Sequence, residues 1–159
     1  MRVSGIRCVV AAAYTWLRRM ATGDDYIPQA AAIPFRVADD GRVEVLLIRR
    51  RGKAKWGIPK GLVDPGHTPE QTALIESDEE AGVEGQLVGL PLGDYTYQKF
   101  GGTCQVTVFA LRVTVERTRW LEERSRERQW FALTDAARTV GRDDQAALIE
   151  ALGRRLSGR

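Results

Sequence analysis

The sequence predicts an α/β fold in which a mixed β-sheet is covered by helices on both faces. Two observations carry the prediction. Short segments rich in apolar and β-branched residues, separated by Gly, Asp and Pro, recur on either side of one well-signalled helix at 69–81, and a second helical periodicity closes the chain at 145–156. Strands divided by one helix and ended by another require a sheet with two buried faces.

Taken in order, residues 1–26 read as an N-terminal extension, helical in character, and residues 27–159 as the folded domain. The opening has part of a signal-peptide pattern, with Arg2 and Arg7 before an apolar run. Tyr14 and Thr15 interrupt that run and Arg18 and Arg19 follow it, which suits a short terminal helix better. It also falls short of the about 20 apolar residues that span a bilayer. The polar stretch at 22–25 is the linker.

Residues 29–37 and 43–48 form an expected hairpin around the turn residues at 38–41. Residues 56–61 hold too much Gly and Pro for an interior strand and predict a short edge strand entering a structured loop. Thr68 can cap the central helix, Pro69 suits its first position and Gln71 completes a capping box; Gly82 supplies the stop. Further strands are expected at 83–92, 95–100, 104–115 and 126–131, with Gly101 and Gly102 as a turn. Thr134 is placed to cap a brief helix at 135–138, and the last helix is expected to turn Ala147, Leu148, Ala151 and Leu152 inward.

Composition bounds the function. A chain of 159 residues encloses one core rather than two. With 24 basic against 21 acidic residues, a formal charge of +3 and a pI of about 9.1, an anionic partner is compatible, but no dense basic block marks a nucleic-acid or membrane surface, and neither partner is expected. Cys8 and Cys104 make neither a metal-ligand cluster nor a disulfide framework, so a reducing, cytoplasmic setting is expected. Nothing in the composition decides between a monomer and a homodimer.

The chemistry concentrates on the central helix. At 100° per residue Glu76, Glu79 and Glu80 share one side, while Ala73, Leu74, Ser77 and Ala81 form a smaller face able to approach the sheet. Between Gly61 and Val83 stand six acids, Asp64, Glu70, Glu76, Asp78, Glu79 and Glu80, and no Lys or Arg. Like charges at this spacing cost about 0.2 to 0.5 kcal/mol per pair, and the helix dipole disfavours them near the C-terminal end. A solvated acidic face tolerates that; a bound cation offsets it. Mg2+ fits the second case, because it takes hard oxygen ligands and joins carboxylates to phosphates. Lys60, on the loop leading into the helix, then holds a phosphate chain from the other side.

The segment from Gly61 to Val83 resembles the Nudix box, G-x5-E-x7-R-E-U-x-E-E-x-G-U, where U is aliphatic. Gly61, Glu76, Glu79, Glu80, Gly82 and Val83 satisfy six of its nine specified places. His67 replaces the first Glu, Ile75 the Arg, and Ser77 an aliphatic residue. The resemblance implies that His67 and Ile75 together replace the two partners of a family ion pair, a joint loss that orphans no charge. The run Trp56-Gly-Ile-Pro-Lys-Gly61 and the spaced Trp120, Glu122, Arg126, Arg128 and Trp130 further resemble the diphosphoinositol polyphosphate phosphohydrolase and diadenosine polyphosphate hydrolase group.

The resemblance implies a Nudix α/β/α sandwich with a catalytic loop-helix-loop, and hydrolysis of phosphoanhydride bonds in a phosphorylated small molecule with Mg2+, or Mn2+, as cofactor. Glu76, Glu79 and Glu80 are the implied metal ligands and catalytic residues, with the Gly61 carbonyl as a further ligand. Glu79 is preferred as general base, Glu122 and Glu123 being the alternatives. Arg50, Lys53, Lys55 and Lys60 are the candidates for phosphate binding, with Lys99, Arg126 and Arg128 in reserve. Trp56, Tyr97, Trp120 and Trp130 either stack on a base or pack the protein. The competing reading is a phosphate-ligand sensor that keeps the scaffold and has lost turnover through the changes at His67, Ile75 and Ser77.

Overall fold

The computed structural model describes residues 26–158. The expected N-terminal helix and Cys8 lie outside them. Seven strands are described: β1 (Tyr26–Val37), β2 (Val43–Arg50), β3 (Lys60–Leu62), β4 (Val83–Leu87), β5 (Gly93–Lys99), β6 (Gly102–Glu116) and β7 (Arg126–Ala132). The helices are α1 (Pro69–Ala81), α2 (Leu133–Thr139) and α3 (Asp143–Leu156). The sheet runs β4-β6-β1-β2-β7, with β3 on β1 and β5 on β6. Only the long β1 to β6 pairing is parallel, so the sheet is mixed, as expected.

Alternation along the strands divides the core into two apolar layers, one on each face of the sheet. On one face Ala31, Ile33 and Phe35 of β1 join Val45 and Leu47 of β2 and Val106 and Val108 of β6 beneath Ala136, Ile149 and Leu152 of α2 and α3. On the other, Ala30, Ala32, Leu46, Ile48, Phe109 and Leu111 meet Ala73 and Ala81 of α1. The small residues on both sides of this second interface let α1 lie close to the sheet, and the layers make the α/β/α sandwich.

Local departures from expectation have local causes. Leu74 does not face the sheet; it is 37% exposed, because the buried stripe of α1 is centred on Ala73, Ser77 and Ala81 and takes in Thr72, Glu76 and Glu80 instead. The strand expected at 83–92 stops at Leu87, since Gly89 adopts a positive φ of 73° in the turn before Pro91. The β5–β6 turn is Phe100 and Gly101, both at positive φ, while Gly102 already belongs to β6. α2 starts at Leu133 with Ala132 as its cap residue, so Thr134 does not cap it. In α3 the buried positions are Gln145, Ile149 and Leu152; Ala147 is exposed.

Candidate active site

The loop before α1 and the helix itself are fixed locally. The Thr68 hydroxyl accepts from the Gln71 backbone N–H, and the Gln71 side chain accepts from the Thr68 N–H, closing the capping box. At the other end Gly82 takes the left-handed conformation, φ 65°, and its N–H donates to Asp78 and Ser77. Glu76 and Glu80 are each 6% exposed, so two of the three predicted carboxylates lie between helix and sheet rather than in solvent. A Cβ on Gly61 would fall inside the Glu76 carboxylate, so only glycine lets the β3 backbone meet that group.

Cations reach the C-terminal end of α1 from β7 and from the connection that precedes it. Arg126 Nη2 lies 2.7 Å from Glu80 Oε1, and its Nε donates to Glu122. Arg128 donates to the carbonyls of Ala81 and Gly82 and stacks over Trp120 at 4.0 Å. Arg117 pairs with Asp78 at 2.8 Å and also with Glu84. The Glu122 N–H donates to the Glu79 carbonyl, which docks the connection on the helix. Burial pushes the Glu80 carboxyl up to about 7 even though Arg126 opposes the shift.

Lys60 stands beside this cluster. Its backbone N–H donates to Glu80 Oε2 at 3.3 Å, while its Nζ donates to the Tyr97 hydroxyl at 2.8 Å, and that hydroxyl donates to Gln29 Oε1 at 2.7 Å. Desolvation first, then the charge of Lys99, pull the Lys60 ammonium down to about 8; Arg142 adds to this. The Arg142 guanidinium lies 5.1 and 5.4 Å from the Tyr95 and Tyr97 rings and is fixed by Asp144 at 2.6 Å. Lys60, Lys99 and Arg142 therefore share one neighbourhood around Tyr97. Sequence reasoning missed Gln29 and Arg142, because a lone Gln in an apolar strand and an Arg at a helix start carry no distinguishing pattern.

The other predicted groups divide. Arg50 pairs with Arg126 across β2 and β7, which puts both side chains on the α1 face of the sheet. Arg50, Lys53 and Lys55, with Ala54, line an open groove of about 350 Å3. Trp56 packs edge-on against Phe131 at 5.2 Å, Trp120 under Arg128, and Trp130 under Arg36 at 4.1 Å, so these tryptophans serve packing. Glu123 pairs with Arg119 at 3.1 Å. His67 and Ile75 are both exposed, Ile75 at 38%.

The donor set suits a hard divalent cation: carboxylates at Glu76, Glu79 and Glu80, and the β3 backbone brought against Glu76 at Gly61, a residue with no side chain. In their present positions, no three His, Cys, Asp or Glu side chains among the described residues are gathered tightly enough to hold a metal ion. Arg126 occupies one oxygen of Glu80 instead.

Comparison with known proteins follows the same line. Residues 27–152 match the family model for the NUDIX domain. Nudix hydrolase 12, mitochondrial, of Arabidopsis thaliana is 34% identical over 103 residues, 60% of this chain and 51% of that protein. Diphosphoinositol polyphosphate phosphohydrolase 3-alpha of Mus musculus is 35% identical over 115 residues, 70% of this chain and 68% of that protein. Three plant relatives are matched over only 51%, 63% and 58% of their own lengths. In fold, the chain is similar to a C. elegans Ap4A hydrolase binary complex, with a TM-score of 0.70 and 24% identity over 84% of this chain and 99% of that one. No helix among the described residues is long and apolar enough to cross a membrane.

Proposed function

The chain belongs to the NUDIX domain family of hydrolases, and from that premise we propose that it hydrolyses phosphoanhydride bonds in a diphosphoinositol polyphosphate or a dinucleoside polyphosphate with the help of Mg2+. One observation carries the reading: Lys60 joins the two halves of the site, its backbone bonded to Glu80 and its ammonium held on the other side by Tyr97. An anion bound at that ammonium lies next to the acidic helix.

Glu76, Glu79 and Glu80, with the Gly61 carbonyl, would hold the ion. Bound there, Mg2+ supplies charge neutralisation to the phosphate oxygens. Lys60 binds a phosphate group of the substrate, with Lys99 and Arg142 nearby and Arg50, Lys53 and Lys55 available to a longer anionic chain. Glu79 takes the proton from water as the water oxygen bonds to phosphorus and the bridging P–O bond breaks. The displaced phosphate leaves with the bridging oxygen. Trp56, Trp120 and Trp130 are engaged in packing, while Arg50, Lys53 and Lys55 line an open groove, which favours recognition through phosphate over recognition through a base.

A reducing cytoplasm is part of the same proposal, supported by the free, buried Cys104; the Arabidopsis thaliana relative named above is mitochondrial. Binding without turnover is the second reading, favoured by Arg126 on Glu80 and by the exposed Ile75. Purified protein incubated with diphosphoinositol polyphosphates, diadenosine polyphosphates, ADP-ribose and nucleoside triphosphates separates them. The proposal expects phosphate-bond cleavage concentrated on the first two classes. Tight binding of either class with no product would decide for the second reading.

A further inference from the structure

The C-terminal half of α1 carries Glu76, Asp78, Glu79 and Glu80 and has no basic residue in its last turn. Within the Nudix-like pattern the arginine expected at 75 is Ile75, and it points outward, 38% exposed. Arg117 takes Asp78, and Arg126 is placed to offset the charge at Glu80. Its side chain is 16% exposed, Glu80's is 8% and Glu122's is 24%, so the three groups meet largely out of solvent. The guanidinium uses different nitrogens for the two acids: Nη2 for Glu80 at 2.7 Å and Nε for Glu122. The other Glu80 oxygen receives only the long backbone bond from Lys60, at 3.3 Å.

We propose that Arg126 is the resident counterion of the acidic helix: it bridges Glu80 and Glu122 while no divalent cation is bound and gives up Glu80 Oε1 when one binds. The inference rests on the reading above that α1 holds a divalent cation. Its physical content is competition. Removing the guanidinium leaves Glu80 and Glu122 without the charge between them, which weakens the metal-free fold. The same removal frees a ligand oxygen and takes one positive charge away from the place where an ion docks, which strengthens metal binding. Arg126 therefore acts through Glu80 and is a positioning residue. Its backbone place opposite Arg50 in β2 and the Glu122 N–H bond to the Glu79 carbonyl keep it there independently of substrate.

The test measures metal and stability, with no substrate present. Mn2+ is titrated into the wild type, Arg126→Gln and Arg126→Lys in buffer more alkaline than the range in which Glu80 titrates, and free Mn2+ is read by electron paramagnetic resonance. Thermal unfolding is followed with and without Mg2+. Arg126→Gln should melt below the wild type without metal and bind Mn2+ roughly three- to tenfold more tightly, with the melting gap narrowing in saturating Mg2+. Arg126→Lys keeps the charge but cannot bridge two acids, and should move both readouts in the same direction by less. If Arg126→Gln does not fold without metal, the lysine variant decides, through tighter Mn2+ binding and a lower metal-free melting temperature. Unchanged or weaker Mn2+ affinity in the folded variants, beside a wild type that binds Mn2+, would overturn the counterion role alone. A wild type that binds no Mn2+ would overturn the metal site and the inference together.

Discussion

The N-terminal end of α1 is finished by near neighbours in sequence: Thr68 and Gln71 exchange hydrogen bonds and Pro69 occupies the first turn. Its C-terminal end adds distant partners to the local Gly82 cap. Arg117 reaches Asp78 across 39 residues, Arg126 reaches Glu80 across 46, and Arg128 reaches the Ala81 carbonyl across 47. The contrast separates two jobs. The local end sets where the helix starts and which way Gly61 meets Glu76; the distant end sets how much negative charge the helix can carry beside the sheet. Only the second depends on β7 and the connection that leads into it; both bear on the proposed chemistry, the first through Gly61 and Glu76 and the second through Glu80.

The largest effect expected from that contrast is on turnover. Glu79→Gln removes a charge with little change of shape, and the Mg2+-dependent rate on the preferred substrate should fall by roughly a hundredfold or more while the melting temperature stays close to that of the wild type. A near-normal rate would take Glu79 out of the site. Lys60→Ala comes next. Losing one charge-assisted contact to phosphate should lower kcat/KM by roughly ten- to a hundredfold, with Mg2+ affinity in the absence of substrate little changed. Equal loss of metal affinity would mean that Lys60 supports the carboxylates and not the substrate.

Stability sharpens the comparison between the two ends. Gly82→Ala puts a Cβ at positive φ against Trp120 and Arg128, so it should cost about 2 to 4 kcal/mol in denaturant unfolding. Thr68→Ala removes one side of the capping box and should cost about 1 kcal/mol. The reverse order would mean that the local cap, and not the distant contacts, limits the helix.

A smaller, directional effect concerns pH. The Glu80 carboxyl titrates at about 7 in the fold against an ordinary 4.5, chiefly through burial, so between these values the folded state binds more protons than the unfolded one. Metal-free stability should therefore fall as pH rises from 4.5 to about 7 because of this group. Glu80→Gln should flatten that part of the unfolding profile. A slope in the substituted protein identical to the wild type would assign the pH dependence elsewhere.

The same division explains what could be read from the chain. The capping box, the Gly82 stop and the hairpin at 29–48 were legible because each depends on residues a few positions apart. The carboxylate spacing was legible for the same reason. The burial of Glu76 and Glu80 was not, since it follows from Ala30 and Ala32 letting the helix come close, and those alanines look like any apolar strand. Helical spacing places Leu74 on the sheet-facing side with Ala73, Ser77 and Ala81, whereas the buried stripe is turned toward Thr72, Glu76 and Glu80. Gln29, Tyr97 and Arg142 came together through the parallel β1–β6 pairing, with β5 alongside β6 and the start of α3 close by, contacts that no short-range pattern announces. The bridging place of Arg126 likewise needed the sheet order.

The central claim is that the acidic helix and Lys60 form one metal-dependent hydrolytic site, and the Mg2+ dependence of turnover tests it most directly. Purified protein stripped of divalent ions is given a diphosphoinositol polyphosphate or a diadenosine polyphosphate, and products are followed by phosphorus nuclear magnetic resonance as Mg2+ is added back. The account predicts no product in chelator and a rate that rises with Mg2+ to saturation. Cleavage that proceeds at full rate in chelator, or substrate that binds and stays intact at saturating Mg2+, would contradict it.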